Sequence, residues 1–156
     1  ARRAADIFDV PTARITLIDD QWQYNHGDST QSGRSGTGDP ERGPERSVSL
    51  CGHVVVGGAV MVVPDVQRDP RFAGNPVLME SEIRFYAGAP LRDADGHILG
   101  TLCLHDTEPR TMSLRDAKLL ESLAEEVMAP LRKRAVSTAP SKHPDAPGDA
   151  VDPERA

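Results

Sequence analysis

One cysteine–histidine spacing occurs twice in this chain. Residues 51–53 read Cys-Gly-His and residues 103–105 read Cys-Leu-His. Thiolate sulfur and imidazole nitrogen are ligands of tetrahedral zinc, so a Cys₂His₂ site is one interpretation. On a strand, Cys103 and His105 would share a face, whereas Cys51 and His53 in a helix would not. The interpretation we favour is therefore that both cysteines are small buried hydrophobic residues.

A second group of polar side chains lies on one face of a predicted strand, residues 83–91. Alternation puts Arg84, Tyr86, Gly88 and Pro90 on one face and the apolar residues Ile83, Phe85, Ala87, Ala89 and Leu91 on the other. Arginine and tyrosine both form hydrogen bonds, and glycine leaves room beside them. This face predicts one wall of a pocket for a small polar ligand. The alternative is an ion pair between Arg84 and Asp65 or Asp69 that fixes a loop against the sheet.

The strand that carries Arg84 and Tyr86 is predicted to belong to a β-hairpin. Asp95-Gly96 supplies a tight turn, and a second β-prone run follows at residues 97–106. A first hairpin is predicted from residues 13–18 and 21–26. It follows the end of an amphipathic helix at residues 3–9, which Pro11 stops.

Shorter elements are predicted between the two hairpins, and a long helix after them. Residues 49–56 predict a short helix capped by Ser47 or Ser49, residues 60–63 a strand, and residues 69–76 a helical turn capped by Asp69. A final helix is predicted to begin after Ser113, with an apolar stripe to Met128. We expect Pro130 to kink or end it.

Two segments are too polar to pack into a core. Residues 27–47 predict a long mobile loop, either disordered or a lid over a pocket, and residues 135–156 a disordered tail, leaving one domain at residues 1–134. A net charge of −6 argues against nucleic acid or an anionic membrane as a partner. The small cysteine count favours a cytoplasmic location. Because a helical pattern already runs at Ala1, we expect the chain to be a piece of a longer protein.

Taken in order, several motifs of this chain resemble a known family. They are Asp65, Asp69-Pro70-Arg71-Phe72-Ala73-Gly74-Asn75-Pro76, residues 83–91, Asp95-Gly96, Gly100-Thr101-Leu102-Cys103 and Pro109-Arg110. Together they look like a bacterial GAF domain, of the subtype attached to sensor kinases and diguanylate cyclases. Ser49-Leu50-Cys51-Gly52-His53 resembles the Ser-Phe-Cys-x-His element that precedes this block. The likeness covers residues 3–131.

The resemblance implies an α+β fold, with a GAF-like central antiparallel sheet of five to six strands and helices packed on it. It also implies a small-molecule pocket on the other face of the sheet. Carried over position by position, the expected ligand-binding residues are Cys51, His53, Asp65, Arg71, Phe72, Arg84 and Tyr86. Two features depart from the family pattern: the long polar segment at residues 27–47, and Pro130 in the helix that would lead to an output domain.

The function that the resemblance implies is a non-catalytic sensory or regulatory domain that binds a small ligand in bacterial signal transduction. We expect a homodimer formed through the terminal helices, and an output domain or partner protein that receives the signal. One alternative is a structural dimerisation module without a ligand. Another is a thiol-dependent enzyme similar to the methionine-sulfoxide reductases of this family. A third is haem binding with His53 as axial ligand. The sequence assigns no cofactor.

Overall fold

The computed structural model describes residues 1–30 and 41–138. Within these ranges the helices are α1 (Arg2–Phe8), α2 (Leu50–Gly57), α3 (Pro76–Glu80) and α4 (Leu114–Thr138). The strands are β1 (Thr12–Ile18), β2 (Trp22–Asp28), β3 (Glu41–Glu45), β4 (Met61–Val63), β5 (Phe85–Arg92) and β6 (Ile98–Asp106). A single 3₁₀ turn, Arg46–Val48, connects β3 to α2.

The six strands form one antiparallel sheet in the order β3-β2-β1-β6-β5-β4. Both predicted hairpins are confirmed, as β1–β2 and β5–β6. Gly96 has the positive φ, 84°, that the turn between β5 and β6 requires. The predicted α+β fold with five to six antiparallel strands is confirmed.

Helices cover both faces of the sheet. On one face, α1 and α4 enclose a core that includes Ala4, Phe85, Leu102, Leu120 and Met128. On the other face, α2, α3 and the turn before α3 enclose a second core that includes Leu50, Cys51, Val63, Phe72, Leu78, Tyr86 and Cys103. The alternation predicted along β5 is confirmed from Phe85 onward. Ile83 packs with the second core instead, because the strand begins only at Phe85.

The prediction of a mobile loop over residues 27–47 is wrong at both of its ends. Strand β2 continues to Asp28, and β3 pairs with it as an edge strand. Strand β3 was not predicted because its residues are polar. Its position at the edge of the sheet allows it to contain Pro44, which cannot donate a backbone hydrogen bond. The Arg42 guanidinium also lies 4.3 Å from the centre of the Trp22 ring, a cation–π contact. Residues 31–40 of the predicted loop lie outside the described residues.

Helix α4 is longer than predicted. Pro130 lies inside α4 and does not end it, and the helix continues to Thr138, past the predicted boundary at residue 134. Arg132 secures this extension, because its Nε and Nη2 atoms donate to the Arg92 carbonyl at 3.1 and 2.7 Å. No helix or strand was predicted for residues 77–82, but most of α3 lies there, with Asn75 as its N-cap. Residues 139–156 of the predicted tail lie outside the described residues, and no described helix is both long and apolar enough to cross a membrane.

Candidate functional site

An open cleft of about 970 Å³ lies beside α2, and we call it the α2 cleft. Its walls come from α2, from the β1–β2 turn, from the 3₁₀ turn and from the start of β4. Its lining includes Trp22, Arg46, His53, Val56, Met61 and Arg71. Its volume is in the range of sites for small organic ligands.

His53 projects from α2 into the cleft with a fixed orientation. Its Nδ1 atom lies 2.9 Å from the carbonyl oxygen of Ser49. A carbonyl oxygen only accepts hydrogen bonds, so Nδ1 carries the proton and Nε2 of the neutral ring is an acceptor. The ring also packs edge-on against Phe72, with 4.9 Å between the ring centres. His53 therefore offers a pre-positioned acceptor to a ligand that donates an N–H or O–H group.

Arg71 forms the basic wall of the cleft. Its Nε and Nη2 atoms donate to the Asp69 carboxylate at 3.0 and 2.8 Å. These bonds hold the pKa of Asp69 below its usual value and raise that of Arg71. The guanidinium lies 5.0 Å from the centre of the Phe72 ring. Nη1 makes only a long contact of 3.8 Å with the Met61 sulfur. That nitrogen is the one positioned to donate to an acceptor group of a ligand.

An acidic part of the lining comes from the β1–β2 turn. Asp19 accepts hydrogen bonds from the backbone N–H groups of Gln21 and Trp22, at 2.8 and 2.6 Å, which lowers its pKa. This turn presents Asp20 to the cleft, and Glu45 at the end of β3 lies next to it. The lining of the cleft thus combines hydrogen-bond acceptors, hydrogen-bond donors and apolar surface.

Gly52 sets how closely the 3₁₀ turn approaches α2. A Cβ atom at this position would lie 2.3 Å from the Arg46 carbonyl oxygen, a distance that no side chain can adopt without moving the backbone. Arg46 in turn donates from Nη1 to the Asp19 carbonyl at 3.2 Å. Gly52 and Arg46 therefore join two walls of the cleft.

Beneath α2 lies a buried polar cluster that is separate from the cleft lining. The Tyr86 hydroxyl donates to the Cys51 sulfur at 3.2 Å, and the Cys51 and Cys103 sulfurs are 3.7 Å apart. The Thr16 and Thr101 hydroxyls form a hydrogen bond of 3.0 Å. Burial raises the pKa of Tyr86 well above its usual value.

The expected room for a ligand beside Gly88 is not available. A Cβ atom there would lie 2.4 Å from the Tyr86 hydroxyl oxygen, because the phenol of Tyr86 itself fills the space. Tyr86 is completely buried. The face of the strand was predicted correctly, but its use as an open pocket wall was not, because α2 covers it.

Arg84 and Asp65 form a bidentate ion pair away from the α2 cleft. Arg84 Nε and Nη2 donate to the two carboxylate oxygens at 2.9 and 2.7 Å. The pair borders a second cavity of about 680 Å³, together with Arg68 and Arg110. The alternative prediction for Arg84, an ion pair that fixes a loop, is confirmed with Asp65 as its partner.

The seven predicted site residues thus separate into three groups. His53 and Arg71 line the α2 cleft, and Phe72 supports both from below. Cys51 and Tyr86 belong to the buried cluster, whereas Asp65 and Arg84 border the second cavity. Sequence reasoning missed Trp22, Arg46, Val56 and Met61 as cleft residues, because they come from four separate elements. The single tryptophan of the chain, Trp22, was the one feature of the sequence that could have indicated a binding residue in the first hairpin.

The four residues of the repeated cysteine–histidine spacing do not form a metal-binding group. His53 is held by Ser49, and His105 lies buried against the Tyr86 ring, 5.5 Å between ring centres. Among the described residues, the group close enough to share an ion is Asp93, Asp95 and His97 in the β5–β6 turn. In this group, the Asp93 carboxylate already accepts hydrogen bonds from the backbone N–H groups of Asp95 and His97, each at 2.9 Å.

Comparison with known proteins gives a consistent result. The sequence model of the GAF domain matches residues 1–131. A cyclic di-GMP phosphodiesterase of Pseudomonas aeruginosa is 41% identical over 128 residues, which cover 81% of this chain and 20% of that protein. The chain thus spans about a fifth of the length of this relative.

Solved structures share the fold at lower identity. The GAF domain of an Acinetobacter phosphoenolpyruvate-protein phosphotransferase superposes with a TM-score of 0.63 at 18% identity, covering 86% of this chain and 78% of that one. The free methionine-R-sulfoxide reductase of Neisseria meningitidis, in complex with its substrate, superposes with a TM-score of 0.60 at 22% identity, covering 84% and 74%. With a matching family model over most of its length, this chain belongs to the GAF domain family.

Proposed function

We propose that this chain is the non-catalytic regulatory domain of a bacterial signalling protein and that it binds a small polar ligand in the α2 cleft. The observation that carries the proposal is the pre-positioned pair His53 and Arg71. Each is fixed by a partner in the protein, and each leaves one nitrogen atom, Nε2 or Nη1, for a ligand. Fixed groups lose little entropy when a ligand binds.

The ligand class follows from the cleft walls. A molecule that fits would donate a hydrogen bond to His53, accept one from Arg71 and cover the apolar surface of Val56 and Met61. Nucleotides, cyclic nucleotides and amino acids all meet these conditions. The other five predicted residues, Cys51, Asp65, Phe72, Arg84 and Tyr86, are proposed to hold the surrounding frame.

The signal is proposed to pass to an attached output domain or a partner protein. The relative is a cyclic di-GMP phosphodiesterase of which this chain spans about a fifth, and an enzyme of that class is one candidate for the output. Helix α4 supports transmission of a signal toward the C-terminus, because it continues past Pro130. Arg132 in this helix also donates a hydrogen bond to the Arg92 carbonyl at the end of β5. A ligand would act by its differential affinity for two arrangements of α2 and its neighbours. A cytoplasmic location remains part of this proposal.

A thermal-shift screen with nucleotides, cyclic nucleotides including cyclic di-GMP, and amino acids tests ligand binding. We expect at least one compound to raise Tm, and Arg71→Ala to abolish this increase. Arg68→Ala is the matched control, because Arg68 is an exposed arginine outside the cleft lining. Equal responses in both variants, or no response in the wild type, would contradict the proposal.

A dimerisation function is a second candidate, supported by apolar side chains on the outer surfaces of the terminal helices. Leu114, Leu119 and Leu131 of α4 are 85%, 40% and 50% exposed, and Ile7 of α1 is 44% exposed. Light scattering at micromolar concentration distinguishes a dimer from a monomer. A monomeric wild type would remove this candidate, whereas a dimer that Leu131→Glu dissociates would support it.

The structure gives less support to a thiol-dependent enzyme. Among the described residues that line the α2 cleft, none is a cysteine, and both sulfurs lie beneath α2. A substrate of the size of an amino acid, bound in the cleft, would not reach them without displacement of the helix. We therefore place thiol chemistry outside the proposed ligand-binding function.

A further inference from the structure

The two cysteines of the chain, which are far apart in sequence, meet beneath α2. Cys51 lies in the first turn of α2, two residues after the N-cap Ser49. Cys103 lies in β6, which is paired with β1 on one side and β5 on the other. Their sulfurs are 3.7 Å apart, and the chain has no other cysteine to compete for either one. We propose that Cys51 and Cys103 are a modification site that forms a reversible intramolecular disulfide.

The change in geometry that the bond requires is small. A disulfide has a sulfur–sulfur distance of about 2.05 Å, so the two sulfurs must approach by roughly 1.7 Å. Cys103 is held between two strands, so the movement falls mainly on its side-chain rotamer and on α2. Helix α2 begins at a loop, and its first turn is held by the Ser49 hydroxyl, which donates to Gln23 Oε1 at 2.5 Å and accepts from the Gly52 N–H at 3.1 Å.

The surroundings of the pair make the two sulfurs chemically different. The contact with the Cys103 sulfur, and with it the Tyr86 hydroxyl that donates to the Cys51 sulfur, lowers the pKa of the Cys51 thiol. The position of Cys51 in the first turn of a helix acts in the same direction. The contact with Cys51, together with burial, raises the pKa of Cys103 well above its usual value. Because its position in the first helical turn and the hydrogen bond from Tyr86 both favour a thiolate, we assign Cys51 as the nucleophile and Cys103 as the resolving thiol.

With a hydroperoxide as oxidant, the reaction balances in two steps. The Cys51 thiolate attacks one peroxide oxygen, the O–O bond breaks, and Cys51 sulfenic acid forms as hydroxide leaves and takes up a proton. Cys103 then attacks the Cys51 sulfur, the S–S bond forms, the S–O bond breaks, and the proton from Cys103 completes a second water. Two thiols lose two electrons in total, and hydrogen peroxide is reduced to two waters. A dithiol reductant reverses the change by thiol–disulfide exchange.

The disulfide would also alter the cleft. Cys51 and His53 are two residues apart on α2, so movement of Cys51 toward β6 shifts the backbone that positions the His53 ring. It also removes the thiol to which the Tyr86 hydroxyl donates. This consequence rests on the proposed ligand-binding function, whereas the formation of the disulfide does not.

Mass spectrometry tests the proposal directly. The whole chain is reduced, freed of reductant, exposed to hydrogen peroxide under native conditions, and then treated with N-ethylmaleimide in denaturant. We expect a product two mass units lighter that incorporates no maleimide. After trypsin, peptides 47–68 and 93–110 should be joined, and dithiothreitol should separate them. The cross-link is expected to be absent from Cys51→Ser and from Cys103→Ala. Two variants are used so that the test still holds if either one does not fold.

Three results would overturn the proposal. One is retention of two reactive thiols under conditions that oxidise the denatured chain completely. Another is sulfinic or sulfonic acid at Cys51 without a cross-link. The third is a disulfide between two chains in place of the internal one. Circular dichroism before and after oxidation confirms that the reacting species is folded, and the oxidised form is expected to melt at a higher Tm than the reduced form.

Discussion

The Nδ1 atom of His53 lies 2.9 Å from the carbonyl oxygen of Ser49, one helical turn earlier in α2. The contact determines which ring nitrogen carries the proton, and it leaves Nε2 as an acceptor at the cleft. Ser49 is itself the N-cap of α2, and its hydroxyl is bonded to Gln23 in β2. The orientation of the candidate binding residue is thus linked through one serine to the sheet.

This relationship predicts the tautomer of His53. Nitrogen-15 NMR of the histidine side chains at neutral pH should show the Nδ1–H form for His53, whereas exposed neutral histidines favour the Nε2–H form. Exposed His26 in the same spectrum provides the comparison. An Nε2–H tautomer for His53 would show that the hydrogen bond to Ser49 is not formed in solution.

The close approach of Gly88 and the Tyr86 phenol predicts a destabilising substitution. Gly88→Ala would put a Cβ atom 2.4 Å from the hydroxyl oxygen, so the phenol must move and lose its contact with Cys51. We expect a decrease of about 1–3 kcal/mol in the free energy of unfolding, measured by urea denaturation.

Gly57→Ala is the matched control for Gly88→Ala. A Cβ atom at Gly57 meets no described atom within 4 Å, and the residue lies in the last turn of α2. We expect no loss of stability there. Equal effects of the two substitutions would show that the space beside Gly88 is not filled by Tyr86.

Buried His105 predicts a loss of stability at mildly acidic pH. Its Nε2 atom is buried without a hydrogen-bond partner among the described residues. Burial, with a smaller contribution from Arg14, lowers the pKa of His105 from 6.5 to about 4. The unfolded chain therefore takes up a proton near pH 6.5 that the folded chain does not take up until about pH 4. Stability should fall by up to about 3 kcal/mol over this range.

The measurement is urea denaturation of the wild type and His105→Leu between pH 4 and pH 7. The carboxylates titrate in both proteins, so the difference between the two curves isolates His105. We expect the variant to lose less stability on acidification, and His26→Gln, at an exposed histidine, to behave like the wild type. Parallel curves for wild type and His105→Leu would contradict a buried neutral His105.

Most of the sheet could be predicted because its strands alternate in hydrophobicity and end at recognisable turns. The β5–β6 hairpin follows from the alternation after Phe85 and from Gly96. Strand β3 could not be predicted, because its residues are polar and its pairing with β2 depends on backbone hydrogen bonds and on Arg42 stacking against Trp22. Local composition carries no signal for either interaction.

The candidate site was harder to predict than the fold. Alternation assigned Tyr86 to the correct face of β5, but periodicity does not show which element covers a face, and α2 covers this one. His53 and Arg71 were identified through the family resemblance. Trp22 and Arg46 were not, because a turn between strands and a 3₁₀ turn bring them to α2 from distant parts of the sequence. The ion pair of Arg84 was given as an alternative with Asp65 or Asp69 as partner, because opposite charges near a turn pair readily, and the structure shows Asp65.

Trp22 provides the most direct test of ligand binding in the α2 cleft, because it is the single tryptophan of the chain and lines the cleft. The measurement is its fluorescence during titration with nucleotides, cyclic nucleotides and amino acids, in the wild type, Arg71→Ala and Arg68→Ala. The account predicts a saturable change with at least one compound, retained in Arg68→Ala and lost in Arg71→Ala. A compound that stabilises the protein without changing Trp22 emission, or the absence of any saturable change across the series, would contradict it.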